Sequence, residues 1–302
     1  MTGSDSRRPF GRLLTAMVTP FDVSGAVDLD KAADLAAYLV DEQRNDGLVI
    51  SGTGGESPTT TDAEKADLIG AVVAAVGDRA QVVAGVGTFD TTHTVHLAQQ
   101  AAKAGAHGLL VVTPYYSRPP QLGLLAHFRT VADASDLPLL LYDIPKRSGV
   151  PIETGTLLRL AEHDRIVAVK DAKGDLAASS RVLAESDLAY YSGDDSLTLP
   201  LLSVGAVGVV GTSTHFCGPQ TLEMILAYER GDVALARRLH NQLMPIFTGI
   251  FRTQGTILVK AGLRLQGRDV GPVRLPLVDA TEEQVDQLQH DLKAAGLSSA
   301  AG

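Results

Sequence analysis

Eight times over, the chain alternates a short apolar run with a stretch long enough for a helix. The runs are LLTAMV (13–18), GLVIS (47–51), QVVAGV (81–86), GLLVV (108–112), PLLLY (138–142), RIVAVK (165–170), LAYYS (188–192) and AVGVVG (206–211). Intervening segments such as LDKAADLAAYLVDEQ (29–43) and TTHTVHLAQQAAKAGA (91–106) carry apolar residues at helical spacing and alanine-rich faces. Strand followed by helix, repeated, predicts a parallel sheet, and eight such units close into a (β/α)8 TIM barrel. The rival is an open doubly wound sheet. Its dinucleotide fingerprint is missing, because GTGGES and GVGTFD follow apolar runs without completing G-x-G-x-x-G.

The strand pattern stops near residue 230. DVALARRLHNQLMPIFTGIF, ILVKAGLRLQG and TEEQVDQLQHDLKAAG then read as three helices, the last opening on a capping box in which Thr281 precedes Gln284 by three residues. The expected organisation is a catalytic barrel over 10–230 and a C-terminal helical region over 231–297. Residues 1–9 and 298–302 are polar or small and read as frayed ends.

Composition narrows the function. A single cysteine, Cys217, excludes a disulfide framework and a Cys-rich zinc site; it lacks any local signature and reads as a small core residue. The net charge of −9 leaves no basic footprint for nucleic acid or an anionic membrane, so small-molecule partners are expected. No apolar run approaches the roughly 18–20 residues of a membrane span, and the start MTGSDSRRPF lacks the apolar stretch of a signal peptide, which predicts a cytoplasmic protein.

Catalytic groups of a barrel sit at the C-terminal strand ends, so the residues after each apolar run are the ones to read. The sixth run delivers Lys170. Of eight lysines only Lys170 and Lys260 follow an apolar stretch, and Lys260 falls inside the helical extension. A lysine desolvated at a barrel mouth has a lowered pKa and a free amine able to attack a carbonyl. The same position also suits a lysine that snorkels outward or pairs with Asp171. The second run leads into Ser51-Gly52-Thr53-Gly54-Gly55-Glu56, where three glycines in four positions allow backbone N–H groups to converge on an anion such as a carboxylate, with Thr53 adding a hydroxyl; an ordinary turn is the alternative. Three of the seven tyrosines, Tyr115, Tyr116 and Tyr142, stand at two strand ends, where a phenol can shuttle protons or simply pack. Arg147 suits bidentate capture of a substrate carboxylate, or a surface ion pair. His93 and His96 have H-x-x-H spacing but no carboxylate or cysteine at motif distance, so they read as a solvated helix face and no metal is expected.

Together, GTGGES (52–57), TPYY (113–116) with the RPPQ after it, YDIPKRSGVP (142–151), VKDAKGDL (169–176) and YSGDD (191–195) resemble the dihydrodipicolinate synthase family, in the family's order, from about residue 10 to about 295. The resemblance implies a barrel with C-terminal helices, no cofactor beyond a covalent pyruvate imine on Lys170, and condensation of pyruvate with L-aspartate 4-semialdehyde to 4-hydroxy-tetrahydrodipicolinate on the route to lysine and diaminopimelate. It implies further that Tyr142 relays protons above Lys170 and that Thr53 links Tyr142 to Tyr116 of a neighbouring subunit in a homotetramer. By the same resemblance Arg147 receives the carboxylate of the semialdehyde, and Gly193 and Val210 line the site through their backbone.

One departure stands out. The family usually has two adjacent threonines where this chain has Thr53-Gly54. The Gly54 N–H can still meet the pyruvate carboxylate, but one hydroxyl contact is lost, worth about 0.5–1.5 kcal/mol net. Restoring threonine there should then improve pyruvate binding. The eighth-strand segment GVVGTSTHF (208–216) also differs from the family's commoner pattern. Two other readings stand beside the synthase: a related pyruvate aldolase or dehydratase acting on a keto-sugar acid, which the cation at Arg147 disfavours, and a ligand-binding barrel without catalysis, which the joint presence of Lys170, Tyr142, Thr53 and Tyr116 disfavours. Lysine-sensitive members of the family bind lysine at a subunit interface. Ser57 and Tyr115 fit that cleft, whereas Asp62, Lys65, Phe89 and His93 replace its histidines, asparagine and glutamate, which predicts weak or absent lysine inhibition.

Overall fold

The computed structural model describes residues 7–297. Eight parallel strands, β1 (Leu13–Ala16), β2 (Gly47–Ile50), β3 (Gln81–Gly85), β4 (Gly108–Val112), β5 (Leu139–Asp143), β6 (Ile166–Asp171), β7 (Ala189–Ser192) and β8 (Gly208–Gly211), pair in chain order and close on themselves between β8 and β1. All eight apolar runs of the sequence thus become strands. Nearly every strand residue is buried, as parallel strands walled by helices on one side and by a barrel interior on the other require.

Within that burial the two-residue period of a strand decides which side chains enter the barrel. Along β5, Leu139 and Leu141 join the outer core against the helices, while Leu140 and Tyr142 join the inner cluster with Leu14, Val49, Leu110 and Val210. Along β6, Ala168 points in and Val169 points out, so the next residue, Lys170, points in at the top. The sequence therefore directs an amine and a phenol inward from adjacent strands. Each fully buried Leu or Val around them contributes roughly 1.5–3 kcal/mol relative to exposure.

The helices are α1 (Leu29–Ala37), α2 (Asp62–Val76), α3 (Thr91–Lys103), α4 (Gln121–Asp133), the single turn α5 (Pro145–Ser148), α6 (Thr154–Leu160), α7 (Leu176–Glu185), α8 (Thr198–Leu202) and α9 (Thr214–Glu229). The segment 29–43 is not one uniform helix: after Ala37 it widens into a π-helical turn over Tyr38–Glu42, closed by the Gln43 N–H donating to the Tyr38 carbonyl. Beyond residue 230 lie α10 (Val233–Gly249), α11 (Gly255–Leu265) and α12 (Glu282–Ala294), the last with the expected Thr281–Gln284 capping box. Leu243, Phe247, Leu258 and Leu288 of these helices belong to the same apolar cluster as the outer barrel core, so the extension packs on the barrel. Arg252 and Asp291 form an ion pair between the end of α10 and α12. At the start of the chain, residues 1–6 lie outside the described residues, as do 298–302 at its end; Arg8 is not frayed, since its guanidinium is 2.7 Å from Glu229.

Candidate active site

At the C-terminal mouth, Tyr142 of β5 and Lys170 of β6 are ladder partners, and the Lys170 Nζ lies 4.3 Å from the centre of the Tyr142 ring. Both residues are buried, each 5% exposed. Burial lowers the Lys170 pKa to about 8; Asp195 pulls it back up and the cation of Arg147 presses it down. Burial likewise raises the Tyr142 phenol to about 12, offset in part by the nearby Arg147 cation and Thr53 hydroxyl. The amine is thus brought within reach of its neutral form near physiological pH while the phenol keeps its proton.

These residues line a cavity of about 450 Å³ together with Thr53, Gly54, Arg147 and Gly193. Thr53 and Gly54 follow β2 in the glycine turn. Gly193 follows β7, where a Cβ would stand 3.0 Å from Cγ of Lys170 and 3.1 Å from Cβ of Ala172, so any side chain there would crowd the amine's stem. Arg147 sits on α5, where Pro145 at the first turn sets the helical φ. It is exposed, it lines the cavity, and no carboxylate among the described residues pairs with it, so the surface-ion-pair reading of this arginine does not hold.

Other expected site residues are placed differently. Val210 is buried in the inner cluster beside Tyr142, not among the residues that line the cavity. Tyr116 is 95% exposed, adopts φ +72°, and does not line the cavity of its own chain; its neighbour Tyr115 is half-buried and packs edge-on against Phe89 at 5.6 Å. A second cavity of about 230 Å³ opens beside the first, sharing Thr53, Tyr142 and Arg147 and reaching Ser57 and Tyr115. His93 does have a carboxylate partner: Asp62, on the neighbouring helix α2, is 2.9 Å from its Nε2. No group of three or more His, Cys, Asp and Glu that could hold a metal occurs among the described residues.

Gly54 is not merely a threonine without its side chain. A Cβ built there would stand 2.9 Å from the carbonyl oxygen of Ala16, closer than real Cβ atoms come, and that oxygen belongs to strand β1. The expectation that threonine could simply be restored here does not survive this contact.

Two groups of site residues carry no clear mark in the sequence. The α10–α11 region covers the mouth with Phe247, Phe251, Gln254 and Thr256, from a segment that shows only helical periodicity. Asp195, 1% exposed, accepts hydrogen bonds from the Thr212 and Ser213 N–H groups and the Ser213 hydroxyl, and its charge acts on Lys170. Its only sequence signal is its place in YSGDD after the seventh run.

A closed (β/α)8 barrel with a desolvated amine, a phenol and an unpaired guanidinium converging at its C-terminal mouth defines a TIM-barrel enzyme equipped for carbonyl chemistry. The model of the dihydrodipicolinate synthetase family matches residues 9–295, and the chain belongs to that family. It is 69% identical over 301 residues to a 4-hydroxy-tetrahydrodipicolinate synthase of Acidothermus cellulolyticus, an alignment covering 100% of this chain and 97% of the relative. It is 60% identical to 4-hydroxy-tetrahydrodipicolinate synthase 2 of Streptomyces coelicolor, over 97% of this chain and 98% of the relative. Among solved structures, dihydrodipicolinate synthase from Cyanidioschyzon merolae with lysine bound superimposes with a TM-score of 0.94 at 43% identity, covering 96% of this chain and 99% of that one. The Bacillus anthracis enzyme gives 0.92 at 41% identity, over 94% and 98%.

Proposed function

We propose that this chain is a 4-hydroxy-tetrahydrodipicolinate synthase in which Lys170 joins pyruvate to aspartate semialdehyde through a lysine imine. The observation that carries the reading is the inward-pointing, desolvated amine of Lys170 against the Tyr142 ring, with Thr53 lining the same cavity.

The neutral amine attacks C2 of pyruvate, and the carbinolamine loses water to give the imine. Tyr142, a phenol still protonated at neutral pH, donates to the departing hydroxyl and takes protons back, with the Thr53 hydroxyl as the next link. The glycine turn at Thr53 and Gly54 receives the pyruvate carboxylate. Loss of a proton from C3 gives the enamine, whose carbon adds to the aldehyde of the second substrate. The amino group of that substrate then attacks the imine carbon, closes the ring and returns the free amine of Lys170; one water leaves overall. Arg147 holds the semialdehyde carboxylate. An unpaired cation at that point favours this substrate over the polyol tail of a keto-sugar acid.

The exposed Tyr116, with its left-handed backbone, supports its delivery into a neighbouring subunit's site, which requires at least a dimer, and by resemblance to the family we take that dimer to be half of a homotetramer. Gly193 contributes through the backbone, whereas Val210 supports the site from the core beneath it, and the chain divides into a catalytic barrel up to about residue 230 and a helical region after it. We place the enzyme in the cytoplasm; no helix among the described residues is long and apolar enough to cross a membrane.

Borohydride reduction with pyruvate, followed by peptide mass mapping, tests the mechanism. A pyruvyl adduct on Lys170 is expected, and no adduct, or one on another lysine, would refute it.

A further inference from the structure

The mechanism leaves unused two conspicuous features of the sequence: the glutamate of the glycine turn and the second lysine that follows an apolar stretch. The structure brings them together. Glu56, 3% exposed, faces Lys260, 2% exposed, with Nζ 2.9 Å from Oε1. Oε1 receives no aligned hydrogen bond, so the contact is Coulombic. The other oxygen, Oε2, accepts from the Arg274 N–H at 2.8 Å. The ammonium is satisfied on its remaining sides: it donates to the Pro272 carbonyl at 2.7 Å and lies 4.2 Å from the centre of the Phe21 ring. A buried pair with its other bonding positions filled is one in which removing a single partner strands a charge.

Lys260 lies four residues after Thr256 on α11, so the two share one helix face. The Thr256 hydroxyl, on a residue 1% exposed, donates to the Gly54 carbonyl at 3.0 Å. One face of α11 therefore grips the turn twice, at the Gly54 carbonyl and at the Glu56 carboxylate. From the barrel side the Thr19 hydroxyl donates to the Gly55 carbonyl at 2.7 Å. Glu56 itself holds φ +55°, a left-handed conformation that a non-glycine residue keeps when its surroundings enforce it. Three successive turn residues are thus each fixed by a long-range contact, two of them from the C-terminal helical region.

We propose that Glu56, Lys260 and Thr256 are positioning residues: α11 holds the glycine turn in the shape that receives the pyruvate carboxylate, so that the helical extension sets affinity for the first substrate. The inference rests on the reading that pyruvate binds at Thr53 and Gly54. It predicts a split between substrates, because Arg147 stands on α5 and takes no part in these contacts.

The test uses the full-length enzyme with three changes: Thr256→Val, which removes one grip and keeps the shape; Lys260→Met; and the double change Glu56→Gln with Lys260→Met, which leaves no buried charge. Cooperative thermal unfolding confirms the fold of each. The pyruvate concentration giving half-maximal borohydride-trapped adduct, read without semialdehyde, should rise about tenfold in Thr256→Val and in the double variant, while KM for the semialdehyde stays within about twofold. Folded variants with wild-type pyruvate half-saturation, or with both substrates weakened equally, overturn the proposal. Should the pair variants fail to fold, the isosteric Thr256→Val decides it alone: wild-type half-saturation there is refutation. A wild-type enzyme that traps no pyruvate refutes instead the reading of the site on which this one rests.

Discussion

Lys170 and Tyr142 face each other across the β5–β6 ladder, amine over ring, and burial pushes their two pKa values apart, one to about 8 and the other to about 12. A single cause, exclusion of water at the barrel mouth, thereby readies an acid and a nucleophile at adjoining positions.

The first consequence is a pH dependence of imine formation. Only the neutral amine attacks, so the rate of pyruvate trapping at saturating pyruvate should fall as pH drops below about 8, approaching tenfold per pH unit, while Tyr142 stays protonated throughout. Stopped aliquots reduced with borohydride between pH 6 and 9 measure it. A flat profile would contradict a lowered amine pKa.

The same shift carries a stability penalty. The folded pKa of Lys170 lies below the ordinary 10.5, so below pH 8 both folded and unfolded chains are protonated, and the folded one holds its charge away from water at a cost on the order of 3 kcal/mol. Between pH 8 and 10.5 the unfolded chain binds the extra proton, and wild-type stability recovers as pH rises. Lys170→Met should therefore abolish turnover yet unfold at a higher temperature than wild type at pH 7, with the gap narrowing toward pH 10. A less stable variant at pH 7 would count against the argument.

Arg147→Ala should raise KM for aspartate semialdehyde far more than KM for pyruvate, by roughly 1.5–3 kcal/mol of lost charge-assisted bonding, or about 10- to 150-fold. Steady-state kinetics with each substrate varied in turn measures the split. Equal losses for both would place the guanidinium elsewhere in the reaction.

The strand-end positions of Lys170 and Tyr142 are legible in the amino-acid sequence, but their inward aim is not, because the strand residues leading into both are apolar throughout and only the outward packing of Val169 and Leu141 fixes which face is which. Periodicity does not say what covers an element. The bond from Thr256 to Gly54 spans 202 residues, and nothing local to α11 announces it. Lys260 interrupts the buried apolar run 257–263 of α11, and the interruption makes sense through Glu56, distant in the chain and adjacent in space. The exposure of Tyr116 beside the half-buried Tyr115 is equally hidden, since both follow the same strand.

Gly54 supplies a prediction opposite to the one its sequence invites. A regained hydroxyl contact would be worth about 0.5–1.5 kcal/mol. A Cβ 2.9 Å from the Ala16 carbonyl must first displace either the turn or the strand, and overpacking of that kind costs typically about 1–3 kcal/mol. Gly54→Thr should thus leave pyruvate affinity unchanged or weaken it, and lower the unfolding temperature. Tighter pyruvate binding in this variant would mean that the turn yields more easily than its three anchors imply.

The last prediction concerns regulation by lysine. At the positions that form the lysine cleft in sensitive relatives, the polar groups of this chain are already engaged with one another. His93 is bonded to Asp62, and Phe89 packs edge-on against Tyr115. Lys65 is 7% exposed, with its ammonium donating to the Thr60 carbonyl and its pKa lowered by burial, so it presents no free charge to repel the ligand. What weakens the cleft is the lack of a carboxylate at position 93 to receive the ligand's α-amino group, together with an apolar ring at position 89. A ligand that gains no differential interaction cannot bias the enzyme between states. L-lysine should cause little inhibition at roughly 1 mM, the concentration at which a ligand bound by about 4 kcal/mol half-saturates its site. Assays at saturating pyruvate and semialdehyde with increasing lysine provide the check, and strong inhibition well below that concentration would show that the cleft binds lysine through contacts other than these.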